Sequence, residues 1–185
     1  VKTYRGRADP KSVIDYTFHL VSDPTEQVLG QELPALIMDG YTSFKVYMTY
    51  ELLKIDDRQM LDVLSVARKH GAMTMVHAEN NEVINWLAQK LIDGGNTAPK
   101  FHAMSHARIA ESEASSRAIQ LARLVDTPIL IVHVSTEEAA TAILSARNKG
   151  LKIFGETCPQ YLFLTADDLD RDGMDGAKFC CSPPP

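Results

Sequence analysis

The sequence predicts an α/β fold built on a parallel sheet. Strand-like and helix-like segments alternate five times along the chain. One strand candidate, Pro128 to Val134, is apolar almost throughout, as a strand covered on both faces must be. Residues able to do chemistry recur where the strands end, the place where parallel-sheet enzymes gather their sites.

The first strand candidate is Val13 to His19, followed by a helix from about Pro24. Asp23 suits its N-cap, Pro24 the first helical position and Glu26 the capping-box acid. That helix fades near Gly40, with a kink or break expected at Pro34. The second strand is Ser43 to Tyr47 or Met48. Its helix runs from about Asp57 to His70 on the apolar stripe Met60, Leu61, Leu64 and Ala67, and stops at Gly71. The third strand is Ala72 to His77, and its helix covers about Glu82 to Ile92 before Gly94-Gly95. A loop of about 14 residues follows, long enough to suggest a role in function. The next helix spans about Ile109 to Leu124. After the fourth strand, Ser135-Thr136-Glu137-Glu138 reads as a capping box opening a helix that ends at Gly150. The fifth strand is Lys152 to Glu156.

Five such units admit two architectures, a doubly wound open sheet and part of a (β/α)8 barrel. No glycine-rich phosphate loop follows any strand, which weighs against a nucleotide-binding doubly wound sheet. An intact barrel needs roughly 200 residues or more. The 185 residues therefore suggest an incomplete one, as do an opening at Val1 without methionine and a close on Ser182-Pro183-Pro184-Pro185.

Composition excludes several classes. Apolar residues make up 45% and charged residues 23%, with a net charge of −5, the profile of a globular protein rather than a disordered one. No basic stripe is present to bind nucleic acid, and no apolar run approaches a membrane span or a signal peptide. Three cysteines, two of them adjacent, do not form a disulfide framework, so a cytoplasmic location is expected.

His19, His77, His133 and Glu156 each close a strand candidate, and Lys45 sits inside one, at Phe44-Lys45-Val46. A charge within an apolar strand is costly unless paired, neutralised or metal-bound. A lone strand-end histidine is ordinarily a hydrogen-bonded structural residue, and a strand lysine ordinarily points to solvent. Lys45, His77 and His133 fall on successive strands, and the residues alone leave both a metal site and three separate structural residues open. His70, at a helix end, reads as surface. His102 and His106, in the long loop, could be structural or functional, and Cys158 reads as a small packed residue.

The motifs carry a resemblance. Ser43-Phe44-Lys45-Val46-Tyr47-Met48-Thr49-Tyr50 resembles the strand-four signature of dihydropyrimidinases and D-hydantoinases. Val76-His77-Ala78-Glu79-Asn80 resembles their strand five, and Ile131-Val132-His133-Val134-Ser135 their strand six. The run from Gly155 to Leu162 resembles strand seven, and Cys181-Ser182-Pro183-Pro184 the substrate loop beyond it. The motifs stand in family order across nearly the whole chain.

The resemblance implies that residues 1–185 form the central part of a catalytic (β/α)8 TIM-type barrel, with the first strands and the last outside it. It implies two zinc ions bridged by an N-carboxylated Lys45, with His77 and His133 as further ligands. Chemistry permits this. An ammonium cannot bind a cation, but a lysine held as free amine can take up carbon dioxide and become a carboxylate on a long arm. The implied substrate is a cyclic ureide or imide, a dihydropyrimidine or 5-substituted hydantoin, whose ring carbonyl a metal-bridging hydroxide attacks. Tyr50 is then the donor to the developing oxyanion, and Ser182 binds the ring amide through its backbone. A homotetramer is implied for the full-length protein. Two departures stand out. The family's His-x-His pair and its strand-eight aspartate are not among these residues, and Ser105-His106-Ala107-Arg108 replaces a common Ser-Arg-Pro run. The rival readings are a non-catalytic relative that keeps the fold without the metal, an allantoinase or dihydroorotase, and a nucleotide-binding α/β module.

Overall fold

Every second side chain of β2 (Ser43–Tyr47) is buried against helices: Phe44 and Val46 are packed away, while Ser43, Lys45 and Tyr47 face the opposite side. This two-residue period organises the computed structural model, which describes residues 1–21 and 23–185. Five parallel strands form one sheet in sequential order: β1 (Leu20–Val21), β2, β3 (Met73–His77), β4 (Ile129–Ile131) and β5 (Ile153–Gly155). Parallel pairing places Lys45 beside Met75, Met75 beside Leu130, and Leu130 beside Phe154, so these four share one layer on one face. A doubly wound sheet reverses its strand order at a switch point, and this sheet does not. The order is that of a barrel wall, covering five β/α units.

Helices cover the outer face. After α1 (Lys2–Ala8) come α2 (Leu33–Met38), α3 (Asp57–His70), α4 (Asn81–Asp93), α5 (Lys100–Ser105), α6 (Arg108–Val125) and α7 (Glu137–Asn148). Met60, Val63, Leu64 and Ala67 of α3, Ala114, Ala118 and Ala122 of α6, and Ile143 and Ala146 of α7 pack onto Phe44, Val46, Val76, Ile129, Ile131 and Ile153. The alanine stripe of α6 lets that helix lie close to the sheet. Among the described residues, no helix is long and apolar enough to cross a membrane.

Helix ends follow local chemistry. Asp56 and Gln59 form a reciprocal capping box that starts α3, and Gly71, at φ 72°, ends it in a left-handed turn that a side chain would strain. Where α2 begins, Pro34 has no N–H to continue the ladder; the turn before it widens to π geometry over Val28–Glu32, with the Leu33 N–H reaching back to the Val28 carbonyl.

Several expectations are corrected. The first strand is not Val13–His19 but the two residues after it, because the partner edge of β2 pairs with Leu20 and Val21. Val13 and Ile14 lie exposed. The following helix is capped by Thr25, whose hydroxyl accepts from the Val28 N–H, rather than by Asp23. The helix after β4 is capped by Thr136 rather than Ser135, since both the N–H and the hydroxyl of Ser135 are taken by Glu111. The long loop holds a helix of its own, α5. His70 is half-buried rather than at the surface.

Candidate functional site

The carboxyl ends of β2, β3, β4 and β5 are tied by backbone bonds that continue past the strands. The Met48 N–H donates to the His77 carbonyl, that of Val132 to Val76, and that of Glu156 to Ile131. This brings the residues following each strand to one rim.

His77, the last residue of β3, and His133, two residues past β4, meet there. Nδ1 of His77 lies 2.8 Å from Nε2 of His133. His133 holds a backbone φ of 44°, a left-handed conformation that costs a non-glycine residue energy and turns its ring toward His77. Lys45 lies on the same face of the sheet one pleat deeper, two residues before Tyr47, which pairs with His77. Its Nζ stands 5.0 Å from the Tyr47 ring centre. Tyr50 follows β2 in a turn with φ 74°, its ring centre 4.8 Å from that of His77.

Glu79, not anticipated from the sequence, completes the pair. It is 1% exposed and its Oε2 accepts from His77 Nε2 at 2.8 Å. A two-residue step in extended backbone returns a side chain to the same face, so His77-Ala78-Glu79 carried the signal. A carboxylate on Nε2 fixes the tautomer and leaves Nδ1 as a bare lone pair aimed at His133. Glu111 was missed as well. It stands on the buried stripe of α6 and accepts from the N–H and hydroxyl of Ser135 and the N–H of Thr136, the turn that directly follows His133. An acid in register with Ala114 and Ala118 marked it.

Burial keeps the two imidazoles neutral. Burial, reinforced by the charge of Lys45, holds the His77 pKa down at about 3. Burial, then His77 and Lys45, do the same to His133. Burial lowers the Lys45 pKa too, partly offset by Glu156 and Cys158. It raises that of Tyr50, so the phenol stays protonated and able to donate, with Ser182 pulling the other way.

The donors suit a divalent cation. Two neutral imidazoles face each other, one carries a lone pair fixed by Glu79, and His133 Nδ1 is buried without a hydrogen-bond partner. Among the described residues no three His, Cys, Asp or Glu side chains gather closely enough to hold a metal. Lys45, on the same face, could serve as a third donor if it had lost its proton.

Ser182 lies at the same rim, within reach of His102 and His106. His19 does not. Its Nδ1 lies 2.6 Å from the hydroxyl of Ser43, the first residue of β2, which puts it at the opposite end of the sheet. Its strand begins after it rather than ending on it.

No family model matches the chain. The whole chain is 44% identical over 187 residues to the D-hydantoinase of Geobacillus stearothermophilus and covers 40% of that protein. It is 39% identical over 185 residues to the D-phenylhydantoinase of Escherichia coli strain K12, again 40% of the relative. Among solved structures, a D-hydantoinase superposes with a TM-score of 0.95 at 43% identity, covering 99% of this chain and 40% of that one. The dihydropyrimidinase of Brevibacillus agri gives 0.94 at 41% identity, with the same coverage. The dihydroorotase of Campylobacter jejuni, at 14% identity, 81% of this chain, 36% of that one and a TM-score of 0.54, shares the fold alone. The chain thus spans about 40% of the length of the curated relatives it matches.

Proposed function

We infer that this chain, which belongs by sequence and fold to the dihydropyrimidinase and D-hydantoinase family, forms the central part of the catalytic barrel of a zinc-dependent cyclic amidohydrolase. One observation carries the reading: Nδ1 of His77 and Nε2 of His133 face each other at 2.8 Å, both held neutral by burial, on the same face of the sheet as Lys45. Lys45, as a carbamate, would join His77 and His133 in holding two zinc ions. When bound, the metals would supply an activated water and polarise the ring carbonyl.

The chain's own residues do the rest. Burial lowers the Lys45 pKa and so favours the free amine, the form that captures carbon dioxide. Glu79 holds the proton of His77 on Nε2, so that Nδ1 stays bare. Tyr50 donates its phenolic proton in a hydrogen bond to the carbonyl oxygen as negative charge builds there, and its raised pKa keeps that proton in place. The backbone of Ser182 holds the ring amide. The substrate is a cyclic ureide or imide, a dihydropyrimidine or 5-substituted hydantoin, opened by hydrolysis of one ring amide.

The test is hydrolysis of dihydrouracil and a 5-substituted hydantoin by the full-length protein, with metal analysis before and after chelation. Ring opening that vanishes with the metal and returns with zinc supports the reading. A full-length protein that binds no metal and opens neither ring is instead a non-catalytic relative. The assembly proposed for it is a homotetramer, and light scattering at the monomer mass would overturn that.

A further inference from the structure

Ser182 is held by groups that the reading above leaves without a role. His102, on α5, aims Nε2 at the Cys181 carbonyl oxygen 2.7 Å away. A carbonyl only accepts, so this nitrogen carries the proton and donates. The same nitrogen lies 3.3 Å from Ser182 Oγ. His106, the residue that closes α5, packs its ring centre 4.3 Å from that of His102. Its Nδ1 donates to the His102 carbonyl at 3.2 Å, which leaves Nε2 bare, 3.4 Å from Ser182 Oγ, to accept the hydroxyl proton. From the other side, Tyr161 donates its phenol to the Pro183 carbonyl at 2.6 Å.

The carbonyls before and after Ser182 are therefore both engaged. The N–H and C=O of Ser182 itself make no hydrogen bond to another described residue. A ring amide presents its own C=O and N–H side by side, and a single residue with both backbone groups free is its complement.

We propose that His102 is a positioning residue for substrate binding: by gripping the Cys181 carbonyl it sets the Ser182 peptide to pair with the ring amide of a cyclic ureide or imide. The proposal rests on the cyclic amidohydrolase reading and extends it to His102, three residues before the Ser105-His106-Ala107-Arg108 run. His102 acts through Ser182 and touches none of Lys45, His77 or His133, so its removal should affect binding and spare the metal.

Two near-isosteric variants of the full-length enzyme test this. The amide nitrogen of His102→Gln falls near the position of Nε2 and can still reach the Cys181 carbonyl, whereas that of His102→Asn falls near Nδ1 and cannot. The expected result is a KM for dihydrouracil or hydantoin raised about five- to tenfold in His102→Asn, the loss of one net hydrogen bond. His102→Gln should restore most of it, with kcat and zinc content near the parent's in both. An unchanged KM in His102→Asn overturns the proposal. So does a loss of kcat or zinc shared by both variants, which would make His102 a prop of the fold or of the metal. A parent that opens neither ring overturns the amidohydrolase reading and this one with it, whereas an active parent beside an unaffected His102→Asn overturns this one alone.

Discussion

Replacing Glu111 with alanine should cost both stability and metal affinity. The carboxylate is 3% exposed and accepts from the Ser135 N–H at 2.9 Å, the Ser135 hydroxyl at 3.1 Å and the Thr136 N–H at 2.8 Å. Thr136 is buried, and its orphaned N–H costs about 1–3 kcal/mol. Ser135 is half-buried, so water can replace part of what it loses, and its two bonds add about 0.5–1 kcal/mol together. Relief from burying a carboxyl group, whose pKa burial raises, offsets some of this. The net cost is about 1–3 kcal/mol, a large share of the roughly 5–15 kcal/mol that holds a domain together. The same turn follows His133, which keeps its left-handed backbone only while its neighbours are fixed. Zinc affinity should therefore fall by about 10–100-fold, the usual cost of loosening a ligand's support. Urea unfolding of the full-length enzyme and chelator competition measure the two effects. Glu138→Ala, in the first turn of α7, breaks the exposed pair with Arg108; it is the control and should shift neither by more than a small fraction of those amounts. If Glu111→Ala leaves the unfolding midpoint and the zinc affinity where they were, the turn holds itself and the argument fails.

Further outcomes follow from the site. Lys45→Ala and Lys45→Arg in the full-length enzyme should both lose bound zinc and activity, since neither can form a carbamate, and a short carboxylic acid added to Lys45→Ala should restore part of the activity. Full metal content and normal turnover in Lys45→Ala would make Lys45 a structural lysine. Tyr50→Phe should retain its zinc while kcat drops by about 10²–10³, the cost of one oxyanion donor. A change in KM alone would place Tyr50 in binding instead. Gly71→Ala, at φ 72° with open space around it, should cost about 1–2 kcal/mol of stability through the backbone alone, read by urea unfolding. A neutral result there would mean that the end of α3 relaxes at no cost.

What the sequence disclosed depended on how local the cause was. The helix Asp57–His70 could be bounded because what starts it, Asp56 with Gln59, and what stops it, Gly71, lie within its own chain segment. His77 and His133 could be singled out because strand ends are visible in hydrophobic patterning, and Lys45 because a charge inside an apolar strand stands out. Val13–His19 misled because alternation states a preference for extended backbone, whereas a strand also needs a partner edge, and β2 offers its edge to Leu20 and Val21. The short helix α5 escaped because it has no side-chain cap and lies between stronger signals. Glu111 and His102 act across gaps of 24 and 79 residues, so their partners become visible only once the chain is folded.

The alternation in β2 also bears on how such a site can change. Lys45 stands between Phe44 and Val46, which are 0% and 1% exposed against the helices. The backbone beneath the lysine is therefore located by one side of the sheet, while the lysine's arm answers to the other. Substitutions on the helix side would be judged by volume and those on the lumen side by reactivity, with little trade between the two. A chain arranged this way can exchange one chemistry for another at position 45 and its neighbours on that face without renegotiating what makes it fold.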